Sequence, residues 1–404
     1  MTATLSPEQR LLAACIGQPF GIACLAQPES PRDTRLNWEV AADLASQHGL
    51  APLVYAGLVK LDVAAPMEFH ERLRAQSLGA LVRSEAWIEP SLAAVLDVLQ
   101  SHGLAPIVLK GAALAYTAYP EPAQRTFSDI DLLLPEEEVC RASGVLRERG
   151  FSLDDRAKAP EHHLAVHYVP DAPVGVELHC HLLPRPHPYA ICLEQLRSRS
   201  RMARVAGVEA RVLAPSDALL VACLHLSYTH RYRWFLLRAL TDVLAITASN
   251  AKNVDWEGFF ETVQRSRASG AVFWPLQLSR RWLDAPIPAW VLSGLAPSTM
   301  RRTLVNAVAE PCYLLDDEVP EGSGVLYQLL LELSLYQGCS LGTQVRSVLR
   351  CLFPPPEAVG HLSARLTRSR VRYAFHLGRP SRLARGIISL GRLILRLARE
   401  NRRA

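Results

Sequence analysis

Two short apolar runs, each leading straight into a helix, constrain this chain more than any other feature. "APIVLKG" (105–111) reads as a short buried strand and "AALAYTAY" after it as a helical turn or two. "DIDLLL" (129–134) is a second strand. Pro135 and the acids Glu136, Glu137 and Glu138 then open a second helix, where the helix dipole favours negative charge, and Gly150 closes it. Two further strands follow, "HLAVHYV" and "VGVELHCHL". In the second, Val174, Val176, Leu178 and Cys180 share one face, and Glu177, His179 and His181 the other. This order of strands and helices makes an α/β (α+β) core with a small mixed sheet of about 100 residues.

Around it the pattern is mostly helical. Residues 1–100 read as a helical N-terminal region with caps at Ser6 and Asn37, the core spans 101–205, and a second helical region with caps at Ser216 and Asp255 spans 206–350. Residues 351–404 hold a stiff linker, "FPPPE", and a tail in which twelve arginines face one acid, Glu400. In that tail Leu383, Ile387, Leu390, Ile394 and Leu397 form a stripe opposite Arg385, Arg392 and Arg399, an amphipathic basic helix. It suits docking on the protein's own body, RNA phosphates or an anionic membrane.

With 404 residues, 49% hydrophobic and 21% charged, the chain is globular rather than disordered. It contains no apolar run of about 18 residues, so no transmembrane segment is expected and the cytoplasm is the expected location. Nine cysteines, odd in number and never spaced C-x-x-C, argue against a disulfide framework and against a thiolate zinc site.

Asp129 and Asp131 stand one residue apart at the mouth of a buried strand. Side chains at i and i+2 project from one face about 7 Å apart, so both carboxylates can converge on one cation. Oxygen ligands of this kind suit Mg²⁺ or Mn²⁺, and Glu177 on a later strand adds a third carboxylate. Removing both aspartates should leave the metal-free fold intact or slightly more stable, because two buried like charges repel. Lys110 and Gly111 sit at a strand end before a helix, where backbone N–H groups can cradle a phosphate, and Arg125 offers a cation to the phosphate tail. Ser128, beside Asp129, joins this nucleotide-binding set. Among the histidines a zinc site is outweighed by the oxygen donors. His179 is placed behind the ligands or against substrate, and His181 at the surface, neutral. His225 and Asp242 fall on helices as core polar residues, with contact to the nucleotide open to Asp242.

"LKGAALAYTAYPEPAQRTFSDIDLLLP", "GVELHCHLL" and "LAPSDALLVACLHL" together resemble the uncharacterised nucleotidyltransferase family of the polymerase-beta-like nucleotidyltransferase superfamily. The resemblance extends over roughly residues 37–290, leaving the tail outside. It implies a turn at Lys110-Gly111 that holds the nucleotide, a metal-binding pair in Asp129 and Asp131, and a third acid in Glu177. Ala112 stands where the general motif often has serine. The implied reaction moves a nucleoside monophosphate from an NTP to a hydroxyl or phosphate acceptor. A small molecule or peptide natural product is the favoured acceptor. An RNA- or tRNA-modifying toxin and a catalytically silent nucleotide-binding or scaffolding protein are the alternatives.

Overall fold

The computed structural model describes residues 5–23, 36–153, 166–184, 187–232, 235–249, 253–299, 335–337 and 339–352. The Pro-rich linker and the basic tail lie outside these residues. By contacts the chain divides into two units. Leu5–Ser266 with Trp274–Gly294 form the one that carries the sheet, the N-terminal helices and the candidate site. The other comprises Met1–Thr4, Arg267–Phe273 and Leu295–Ala404. Its described part includes a helix over Leu341–Leu352, where the Ser340 hydroxyl accepts a hydrogen bond from the Thr343 N–H.

Helix α1 (Pro7–Gly17) opens on a capping box: the Ser6 hydroxyl accepts from the Gln9 N–H, and the Gln9 amide oxygen accepts from the Ser6 N–H. α2 (Trp38–Gln47) is capped by Asn37, whose side-chain oxygen accepts from the Glu39 and Val40 N–H groups. α3 (Ala51–Leu61) and α4 (Met67–Arg83) follow. A single wide π-type turn at Ser84–Ile88 joins α4 to α5 (Glu89–Ser101).

Seven strands make one mixed sheet: β1 (Ile107–Val108), β2 (Asp129–Leu133), β3 (Ser152–Leu153), β4 (His167–Tyr168), β5 (Gly175–His179), β6 (Arg201–Val205) and β7 (Val208–Val212), in the order β3-β4-β5-β2-β1-β7-β6. β2 runs parallel to β5 and antiparallel to β1, which in turn runs parallel to β7. α6 (Lys110–Thr117) joins β1 to the loop before β2, α7 (Glu136–Glu148) follows β2, and α8 (Leu193–Arg199) precedes β6. One sheet face presents Val108, Ile130, Leu132, Val176 and Leu178 to Leu92, Leu96 and Leu99 of α5 and to Val139 and Leu146 of α7. Each such fully buried side chain contributes about 1.5–3 kcal/mol of transfer free energy. The polar face is thereby left for chemistry.

Two local expectations change. "RMARVAGVEARV" forms the β6–β7 hairpin, which the sequence reading passed over as unassigned chain. Period-2 alternation is regular in Val208–Val212 but not in Arg201–Val205, where Met202 and Ala203 adjoin and Met202 is exposed, and the turn residues are Ala206 and Gly207, both at positive φ, rather than the usual Asn-Gly. Ser216 is not a cap. α9 (Pro215–Leu224) starts after Ala214, and the Ser216 hydroxyl instead donates to the Asp255 carbonyl. Asp255 does cap α11 (Trp256–Arg265), accepting from the Gly258 N–H at 2.9 Å. Between them lies α10 (Leu236–Ser249).

Candidate active site

Strand alternation and register assemble the acids. In the parallel β2–β5 pair Asp131 lies beside Glu177 and Asp129 beside Gly175, all on the face away from the core. His179, two residues beyond Glu177, reaches back so that its Nε2 lies 2.7 Å from Asp131 Oδ1 and 3.3 Å from Glu177 Oε2. Ligand atoms of Asp131, Glu177 and His179 all fall within 4.8 Å of one another. Two carboxylates and an imidazole so close are a donor set that fits a divalent cation. His179 therefore sits among the candidate ligands, not behind them. His181 is only partly exposed, with Nε2 3.8 Å from Glu136 Oε2, rather than at the surface as expected.

The two aspartates sit in opposite electrostatic environments. Burial would raise the Asp131 pKa, but the Lys110 ammonium and the His179 hydrogen bond outweigh it and hold the carboxyl well below the usual range. At Asp129 the Lys110 charge and the Ser128 hydroxyl act in the same direction but are outweighed. Burial, then the charges of Asp131 and Glu177, push its pKa up. Its contact with Ser128 is a long one, the hydroxyl lying 3.4 Å from Oδ1.

Lys110 begins α6 with φ 49°, a left-handed conformation uncommon for a residue with a Cβ. Its Nζ donates to Asp131 Oδ1 at 2.7 Å. Burial lowers its pKa and Asp131 more than restores it, so the ammonium is held charged. Gly111 follows because nothing larger fits: a Cβ there would stand 2.8 Å from Phe127 Cβ. Phe127 Cβ is tied to the backbone of the loop that delivers Asp129 and cannot swing away. Gly111→Ala should therefore lower stability by about 1–3 kcal/mol, as overpacking does, measured as a drop in denaturant midpoint. An unchanged midpoint would show that the loop yields.

Arg125 does not face the site as an uncompensated cation. Its Nε and Nη2 donate to the two oxygens of Asp242 at 2.6 and 2.8 Å, and the Tyr119 hydroxyl donates to the same carboxylate at 2.7 Å. Burial opposes the guanidinium charge, and Asp242 more than compensates. Another arginine, which the sequence reading missed, is placed as Arg125 was expected to be. The Arg238 guanidinium carbon lies 3.9 Å from the Phe235 ring centroid, and Nη1 lies 3.4 Å from the Thr126 carbonyl oxygen. Among the described residues no carboxylate forms a salt bridge with it. Burial, and then Arg125, bring its pKa down to about 10.

Lys110, Asp129, Asp131, Glu177 and Arg238 border one cavity of about 600 Å³, which also takes in Arg83 from the end of α4 and His225 and His230 beyond α9. A protein-family model described as "uncharacterised nucleotidyltransferase" matches residues 34–284, well over half of the chain. The chain belongs to the uncharacterised nucleotidyltransferase family. Nucleotidyl transfer, and with it a transferase, follows from that membership. No curated protein and no solved structure matches significantly. Among the described residues of this nucleotidyltransferase no helix is long and apolar enough to cross a membrane.

Arg238 and His225 carried no sequence signal that set them apart from other polar residues on an apolar helical pattern. A feature that the sequence does contain is "LHLSYTH", two histidines five apart at a helix end.

Proposed function

We propose that this nucleotidyltransferase moves a nucleoside monophosphate from a Mg²⁺- or Mn²⁺-bound NTP to a hydroxyl or phosphate acceptor, a small molecule or a peptide, with release of pyrophosphate. The observation that carries this reading is the Asp131–Glu177–His179 cluster, whose two carboxylates line, with Asp129, a cavity that also presents Lys110 and Arg238. Asp129, Asp131 and Glu177, joined by His179, would hold the metal. When bound, it neutralises the acids and the charge that develops on the transferred phosphoryl group. Lys110, which donates to Asp131, would turn its ammonium to the triphosphate. The Gly111 N–H in the first turn of α6 favours an anion, and Ser128 adds a hydroxyl. Arg238 takes the part on the phosphate tail that Arg125 cannot. The cytoplasm, where thiols stay reduced, is the compartment this reading takes. Nothing in the described residues favours RNA as acceptor.

Calorimetry with ATP, GTP, CTP and UTP tests the site. Binding is expected with Mg²⁺ and should be lost in EDTA, because the carboxylates of Asp129, Asp131 and Glu177 repel a triphosphate when no metal ion neutralises them. Equal binding in both conditions would overturn the site as drawn.

A further inference from the structure

We propose that His225 and His230 form the acceptor side of the cavity and take the proton from the hydroxyl of an acceptor with an apolar body. This rests on the nucleotidyl-transfer reading above and adds to it the class of acceptor and the group that activates it.

The pairing depends on a wide turn. α9 does not end at Leu224 but runs on through a π-type turn over His225–Thr229, in which the His230 N–H donates to the His225 carbonyl at 3.0 Å. In an α-helix two residues five apart would point about 140° away from each other. The extra residue in the π turn brings them to one side, and the two rings meet edge to face with centroids 4.3 Å apart. Turns of this kind cost regular hydrogen bonding and recur at functional sites. Both imidazoles line the cavity that holds Asp129, Asp131 and Glu177. Among the described residues no hydrogen bond engages a nitrogen of either ring.

Their surroundings keep them neutral. Burial, then Lys110 on α6, lowers the proton affinity of both. Around His225, His230 and Arg125 act in the same direction and Asp131 on β2 opposes them; around His230, Arg238 on α10 adds to the lowering. A neutral imidazole can accept a proton. A triphosphate that pairs with Lys110 removes that residue's share of the lowering, though not the share due to burial, and so moves the ring toward the range useful in catalysis.

The wall beside the histidines is apolar. Ala218, Val221 and Ala222, at i, i+3 and i+4 of α9, line the cavity together with Leu114 and Leu213. Their small side chains leave room for an aliphatic or aromatic body and offer nothing to a polyanionic chain. An alcohol needs a base where a phosphate acceptor does not, so base and apolar wall select the same kind of molecule. As the acceptor oxygen bonds to the α-phosphorus, its proton passes to an imidazole nitrogen. The bond from the α-phosphorus to the bridging oxygen breaks, pyrophosphate leaves, and the imidazolium returns the proton to solvent.

The full chain, Mg²⁺ and the tightest-binding NTP are assayed for pyrophosphate release with ethanol, 1-butanol and 1-hexanol, and the alkyl nucleotide ester is identified by mass. Wild type should respond more strongly as the chain lengthens, with a rate that rises with pH through the imidazole titration and then levels. His225→Gln should lower the alcohol-dependent rate about 10²-fold or more and remove that rise, with NTP affinity by calorimetry within about twofold. Ala222→Phe should abolish the chain-length response without weakening NTP binding. An unchanged rate and pH profile in His225→Gln, or no response of wild type to any of the three alcohols, would overturn the proposal. So would weaker NTP binding in Ala222→Phe, which would assign the apolar wall to the nucleobase. Should His225→Gln fail to fold, the wild-type pH profile and Ala222→Phe decide. Failure of wild type to bind NTP with Mg²⁺ would instead sink the nucleotidyl-transfer reading itself.

Discussion

Asp131→Asn should lower nucleotidyl transfer about 10²–10³-fold and should also destabilise the metal-free protein, whereas Asp129→Asn should damage transfer without loss of stability. The loss of transfer follows from removing a carboxylate at the centre of the candidate metal cluster, where one electrostatic contact is worth about 10²–10³ in rate. The stability contrast follows from the partners. Asp131 holds Lys110 and His179, so its removal strands a buried ammonium; Asp129 meets repulsion from Asp131 and Glu177 that its amide would not feel. The linkage runs in opposite directions. Asp131, with a depressed folded pKa, contributes stability that is fully present above the unfolded carboxylate value and is lost as the pH falls from there through its lower folded value. Asp129, with a raised one, contributes stability at acid pH that is lost as the pH rises through its folded value. Melting curves in EDTA across the acid range, beside pyrophosphate release at neutral pH, measure both. Equal melting behaviour of the two variants would refute the pairing of Asp131 with Lys110. The sequence-based expectation treats the two aspartates alike, whereas Asp131 has attractive partners in Lys110 and His179 that outweigh the repulsion.

Asp242→Ala should lower stability by about 3–5 kcal/mol, the usual consequence of leaving one member of a buried ion pair behind. Arg125 and Asp242 are both about nine-tenths buried, and the Tyr119 hydroxyl would lose its acceptor as well. Replacing both charges, as in Arg125→Leu with Asp242→Leu, should recover much of the loss, because no unpaired charge then remains. Denaturant unfolding of the single and double variants gives the coupling energy. If the single variant loses no more than a surface substitution would, about 0.5 kcal/mol, the pair is not the clamp between α10 and the loop before β2.

Much of the framework was legible in the sequence, since strand alternation, helix caps and the order of apolar runs are set by residues a few positions apart. "DIDLLL" had to put Asp129 and Asp131 on one face, and Ser6, Asn37 and Asp255 had to cap. Gly111 announced a close approach without naming its neighbour. Only the tertiary structure decided how the charges pair. Arg125 and Asp242 lie 117 positions apart and Lys110 and Asp131 lie 21 apart, and no local periodicity says which cation is neutralised and which is left facing the cavity. The π turn at His225 was hidden for the same reason: α9 is apolar all round, so its pattern does not register one extra residue. Pattern selects the face a side chain occupies. Coulomb energy depends on distance and burial, and these are set when α9 and α10 pack beside the sheet.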